Sequence, residues 1–119
     1  MTDSLFDQAV AHADGYRDIE PKQLSEHAGT TRLVDVREPD EYLGELGHIQ
    51  GTALVPLATV SAASSGWDRQ ADIIMICRSG ARSGRAAKAL VELGFTRVMN
   101  MKGGMLAWNQ AGLAVKRVP

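Results

Sequence analysis

Cysteine is almost absent from this sequence: Cys77 stands alone among 119 residues. One thiol cannot close an intrachain disulfide, so a disulfide-stapled scaffold is excluded and a reducing, cytoplasmic setting is expected. Aromatic residues make up only 5%, although the apolar content of 45% is ordinary for a globular chain and suffices for one core. Excess charge is missing too. A formal net charge of -1 argues against nucleic acid or an acidic membrane as a general partner. No apolar run approaches the length of a membrane span. The first fifteen residues carry Asp3, Asp7 and Asp14 but no lysine or arginine, unlike the basic start of a signal peptide, so no secretory leader is expected. His12, His27 and His48 are scattered and make no metal-ligand cluster with the single cysteine, and no cofactor is implied. Gly103-Gly104 lacks a following Gly-Lys-Ser/Thr, which excludes a nucleotide loop. Internal repeats and low-complexity segments are absent.

What is present alternates between strand and helix patterns. Residues 4–13 have helical spacing with Ser4 as a cap, and predict a helical extension over 1–15 packed on the outside of a domain over 16–119. Pro21 suits the first turn of a helix carrying Leu24 and Ala28 and stopped by Gly29. Leu33–Val36 and Ala53–Pro56 read as strands, with a short acidic helix start at Glu38–Leu43 between them. Residues 61–71 read as connection with one helical turn. Ile73–Ile76 is apolar at every position, as expected of a parallel strand covered on both faces. A helix is expected over about 83–93, a last short strand at Arg97–Met99, and a last helix from Met105 to Gly112. The fold class that follows is α/β: a single domain with a mainly parallel central sheet flanked by helices on both faces.

Ligands of such sheets bind beyond the carboxyl ends of the strands, and Cys77 sits at such an end. It opens the loop Cys77-Arg78-Ser79-Gly80-Ala81-Arg82-Ser83, directly before a helix N-terminus. A thiol there is expected to ionise easily, because N–H groups and guanidinium groups favour an anion. Gly80 permits a left-handed turn, and Ser79, Ala81 and Ser83 are small enough for a tight amide cradle. Arg78 and Arg82 offer forked donors to the oxygens of an anionic substrate. The ordinary role of a lone cysteine is core packing. Two arginines and two serines around it have no packing role and favour chemistry. A loop this short also predicts an accessible sulfur.

Taken together, these segments resemble the single-domain rhodanese family. The loop Cys77–Arg82 is similar to the family's six-residue active-site loop. Asp35-Val36-Arg37-Glu38-Pro39 with Glu41-Tyr42, Gly47-His48-Ile49-Gln50-Gly51-Thr52, and Gly94-Phe95 with Lys102-Gly103-Gly104 and Trp108 resemble its other motifs, in the family's order. Thr52 stands where alanine is usual and Met101 where leucine is usual. The resemblance runs from about Ile19 to Val115 and implies a sulfurtransferase. Cys77 would take a sulfur from thiosulfate or a related small sulfur-donor anion as a persulfide and pass it to cyanide or a thiol, either small or on a thioredoxin-like protein. Arg82, and less directly Arg78, would bind the donor, and the N–H groups from Arg78 to Ser83 would stabilise the persulfide.

Two other readings compete. A cysteine phosphatase or arsenate reductase needs Cys-x5-Arg, whereas the spacing here is Cys-x4-Arg with Ser83 at the next position. A non-catalytic binding or regulatory module of the same family often lacks the cysteine that this chain keeps. Asp35, Arg37 and His48 are expected near the site in structural roles, His48 hydrogen-bonded to backbone and Asp35 with Arg37 tying the sheet edge to neighbouring loops. Trp67 either borders the site or anchors its own loop.

Overall fold

The computed structural model describes residues 4–27 and 31–117. Five parallel strands and one antiparallel edge strand form one sheet in the order β1-β2-β6-β5-β3-β4. The strands are β1 (Val10–Ala11), β2 (Arg17–Ile19), β3 (Arg32–Asp35), β4 (Thr52–Leu54), β5 (Ile73–Ile76) and β6 (Val98–Met101). The helices are α1 (Leu5–Gln8), α2 (Pro21–Ser25), α3 (Pro39–Tyr42), α4 (Val60–Ala63), α5 (Ala81–Glu92) and α6 (Gly104–Gln110).

Strand β5 has a neighbour on each side and is buried at all four positions, as its unbroken apolar run requires. Its side chains alternate between two cores. Ile73, Met75 and then Cys77 join Val34, Val36, Val98, Ala86, Ala87 and Leu90 on the face covered by α5. Ile74 and Ile76 join Met99, Met101, Leu24, Met105 and Trp108 on the other face. The α/β class with helices on both faces is therefore present as expected.

The N-terminal segment differs from its expected form. Helix α1 is only four residues long, held by a capping box between Ser4 and Asp7. The chain then turns into β1, which pairs antiparallel with β2. Leu5 and Phe6 are 2% and 9% exposed and belong to the second core, so α1 is anchored in the domain by these two side chains. Apolar spacing alone could not reveal that Val10 would join a sheet edge, since it is 70% exposed there.

Helix α2 starts at Pro21, while Ala28 and Gly29, expected to carry and stop it, lie outside the described residues. The connection after β4 holds more helix than one turn: a 3-10 turn at Leu57–Thr59, then α4, then a second 3-10 turn at Ser64–Gly66. Helix α5 begins two residues earlier than its apolar pattern, because Gly80 takes φ 98° and turns the chain directly into it.

Candidate active site

The carboxyl ends of β3, β5 and β6 meet around Cys77. The Cys77 sulfur accepts the backbone N–H of Gly80 at 3.0 Å, at the left-handed turn that starts α5. The Ser83 hydroxyl lies 3.3 Å from the same sulfur and donates to Asn100 Oδ1 at 2.5 Å. Asn100 Nδ2 in turn donates to the Gly80 carbonyl at 3.2 Å. The loop is thus stitched to β6 through a single buried amide.

A second brace lies behind the loop. The first N–H groups of α6 point at its backbone: Met105 donates to the Cys77 carbonyl at 2.8 Å and Leu106 to the Arg78 carbonyl at 3.0 Å. This close approach needs Gly104, whose φ is 58° and where any Cβ would sit 2.5 Å from the backbone of Cys77 and Arg78. With both carbonyls tied to α6, the Gly80 N–H is the backbone donor that meets the sulfur among the described residues. Gly103-Gly104 thereby fixes the orientation of the cysteine loop.

Cys77 is fully buried, which corrects the expectation of an accessible sulfur. The left-handed turn at Gly80 folds the loop over the sulfur, and α6 closes it from behind. The two arginines of the loop also differ in state. Arg82 grips both oxygens of Glu41 at 2.7 Å each, so it does not stand free for a donor. Arg82 holds the Glu41 carboxyl far below the usual carboxylate range, at about 2; burial opposes this, and the Glu38 N–H adds to it. The same bond raises the affinity of Arg82 for its proton. Arg78 is exposed, has no side-chain hydrogen bond among the described residues, and lines a 430 Å³ cleft with Arg37, Asp40, Glu41, Gly44, Glu45 and Leu46.

Asp35 and Arg37 form a buried pair, 0% and 1% exposed. Arg37 reaches both Asp35 oxygens and also donates to the carbonyls of Glu41 at 3.2 Å and Gly47 at 2.8 Å. It ties the end of β3 to α3 and to the loop at Gly47. His48 stacks on Tyr42 with centroids 3.9 Å apart, and its Nδ1 hydrogen-bonds the Tyr42 carbonyl at 3.0 Å. Its backbone bridges to Lys116. Both arrangements have the geometry of braces.

Trp67 does not border the loop. It packs edge-on to Phe95 under the Arg32 guanidinium, at the amino end of the sheet. Asn100 escaped the sequence reading, although a signal existed. Alternation along β6 puts Val98 and Asn100 on the face that carries Met75 and Cys77, and Asn100 is paired with Met75. A polar residue on that inner face demands a hydrogen-bonding reason. Among the described residues no group of side chains could hold a metal ion, and no helix is long and apolar enough to cross a membrane.

Comparison with known proteins adds an independent line. Residues 20–111 match the family model of the rhodanese-like domain. A sulfurtransferase of Allochromatium vinosum is 34% identical over 101 residues, covering 82% of this chain and 92% of that protein. A thiosulfate sulfurtransferase of Pseudoalteromonas translucida is 35% identical over 79 residues, covering 66% of this chain and 73% of that protein. Other relatives are longer, and the chain spans 53% and 60% of two of them. Among solved structures, a rhodanese-related protein from Thermoplasma volcanium matches with a TM-score of 0.75 and 28% identity, over 83% of this chain and 96% of that one.

Proposed function

The chain belongs to the rhodanese-like domain family, which includes proteins named as sulfurtransferases, and on that premise we propose that it transfers sulfane sulfur through a persulfide on Cys77. The observation that supports this most is the sulfur's position at the start of α5, where it receives the Gly80 N–H at 3.0 Å. Helix N-termini stabilise anions, and the thiolate is the nucleophilic form of cysteine.

With thiosulfate as donor, the Cys77 thiolate attacks the outer sulfur. A new S–S bond forms, the bond between the two donor sulfurs breaks, and its electron pair leaves with sulfite. The terminal sulfur left on Cys77 is anionic and faces the amides that held the thiolate. An acceptor thiolate or cyanide then attacks that terminal sulfur, and the electron pair returns to Cys77. This is covalent catalysis in two half-reactions, so ping-pong kinetics follow.

The donor's charged end is assigned to Arg78. Arg37 is neutralised by Asp35 and Arg82 by Glu41, which leaves Arg78 as the loop's uncommitted guanidinium. Burial of Cys77 favours a slim acceptor, such as cyanide, a small thiol or a thiol at an extended tip. The Cys-x4-Arg spacing separates this loop from the longer phosphatase cradle.

The test is mass spectrometry of the intact protein after incubation with thiosulfate. A gain of one sulfur atom on wild type, none on Cys77→Ser, and sulfur transfer to cyanide by wild type only are the expected results. Turnover by Cys77→Ser at the wild-type rate would remove the persulfide from the reaction.

A further inference from the structure

Asn100 is a buried polar residue that touches both groups holding the sulfur, and the persulfide chemistry above gives it no part. It is 5% exposed and lies between Met99 and Met101, on a strand buried throughout. Its amide has a fixed direction. The Gly80 carbonyl accepts only, so the group 3.2 Å from it must be the Asn100 NH2. The Oδ1 atom therefore faces Ser83, whose hydroxyl lies 2.5 Å away.

A serine hydroxyl has one proton and two lone pairs. Two acceptors compete for that proton: Asn100 Oδ1 at 2.5 Å and Cys77 Sγ at 3.3 Å. The shorter contact takes it. The Ser83 oxygen then shows the sulfur a lone pair, which accepts from a thiol S–H and repels a thiolate. When the sulfur becomes an anion, the same hydroxyl can turn and donate to it, leaving Oδ1. Ser83 is fully buried, so water does not replace either partner freely.

We propose that Asn100 is a positioning residue that sets the direction of the Ser83 proton, and thereby the balance between thiol and thiolate at Cys77. It acts through Ser83 and does not touch the reacting sulfur. The other charged or titratable groups around the sulfur are Arg78 and Arg82 of the loop and α5, Asp35 and Arg37 at the end of β3, Glu41 of α3, and Tyr16 beside α5. The variants below leave all of them in place. The inference concerns the sulfur that the proposed function uses, but a titration of that sulfur does not require any transfer to occur.

A single cysteine makes this titration clean: ultraviolet thiolate absorbance, with the Cys77→Ser spectrum subtracted, reports one group. Asn100→Leu removes the competing acceptor, so the Ser83 proton turns to the sulfur. The thiolate-to-thiol ratio then rises about threefold to tenfold, the worth of one buried hydrogen bond. Asn100→Asp keeps the shape but accepts more strongly and adds a negative charge, so the curve moves the opposite way. In a Ser83→Ala background, Asn100→Leu no longer shifts the curve. A shift towards thiolate with Asn100→Leu that Ser83→Ala abolishes establishes the proposal. If Asn100→Leu fails to fold, the part of the Asn100→Asp shift that Ser83→Ala removes carries the test, the remainder being the effect of the added charge. An Asn100→Leu curve that coincides with wild type, or an Asn100→Asp shift of equal size with and without Ser83, overturns it and leaves Asn100 a purely structural brace. Failure of wild type to form a persulfide would strike the proposed function and leave this titration intact.

Discussion

The two ends of the sheet solve opposite problems with the same residue type. At the carboxyl end, arginine is fixed by hydrogen bonds: Arg37 by Asp35 and two backbone carbonyls, Arg82 by both oxygens of Glu41. At the amino end, arginine sits over aromatic rings in addition to directed bonds: Arg97 also pairs with Asp72, Arg17 donates to the Phe6 carbonyl, and Arg69 donates to the carbonyls of Ser65 and Trp67. Phe6 is contacted by both Arg17 and Arg97, at 4.1 and 4.6 Å from its ring centroid, Trp67 lies under Arg32, and Phe95 under Arg69. All four cation–π contacts among the described residues are at this end. Few aromatics are available, and four of the six in the chain are tryptophan or phenylalanine, three of which serve here. The difference teaches where precision is needed. Where a core is closed, stacking supplements directed bonds; around the sulfur, directed bonds alone hold Arg37 and Arg82 in place.

The largest effect that would test this contrast is on stability at the carboxyl end. Arg37→Leu leaves Asp35 charged and buried with its main partner gone, so unfolding in urea should show a loss of about 3–5 kcal/mol. Turnover per folded molecule should fall far less. Equal stability with lost turnover would move Arg37 from brace to substrate contact. Next in size is Arg78→Gln. One charge-assisted contact to the donor is removed, and KM for thiosulfate should rise about tenfold with kcat nearly kept. Arg69→Gln at the other end should leave KM unchanged. A rise in KM from Arg82→Gln alone would instead return donor binding to Arg82.

How much of this was written legibly in the chain depends on whether the information was local. Ile73–Ile76 announced a central strand because four successive apolar residues have few other uses, and Cys77 gained meaning from the glycine and arginines beside it. The rest lay in partners distant along the chain. Arg82 looked like a free donor because Glu41, forty-one positions away, is invisible to any local pattern. The sulfur looked accessible because the N-terminus of α6 that closes behind the loop comes from residues 104–106. Likewise the helical spacing of residues 4–13 was real, but edge pairing with β2 outweighed it beyond Gln8. Asn100 was readable in principle from strand alternation, once β6 was known to lie beside β5.

Smaller still is the pH dependence of the Arg82–Glu41 bond. The Glu41 carboxyl is depressed in the folded protein from an ordinary 4.5 to about 2. Its contribution is therefore present above the ordinary value and is lost as pH falls towards about 2. The two side chains are 29% and 26% exposed, so solvent screening limits the effect to about 1 kcal/mol. Urea unfolding of wild type and Glu41→Gln across that acid window should give curves that converge on acidification. Parallel curves would mean that the pair contributes nothing measurable to folding and serves only to hold Arg82 in place.

The smallest expected effect is at the amino end. Arg32 is exposed and its guanidinium lies 4.7 Å from the Trp67 ring centroid. Arg32→Ala removes one exposed cation–π contact, so the loss in urea should be about 0.5–1 kcal/mol. Trp67 keeps its edge contact with Phe95, and no bond to the cysteine loop is touched. Sulfur transfer should therefore continue at the wild-type rate per folded molecule. Because β3 runs unbroken from Arg32 to Asp35, a fall in that rate would show that strain passes along the strand to the buried pair at its far end. The two ends would then be one mechanical unit, and the contrast between stacked and purely hydrogen-bonded arginines would hold for their chemistry but not for their dynamics.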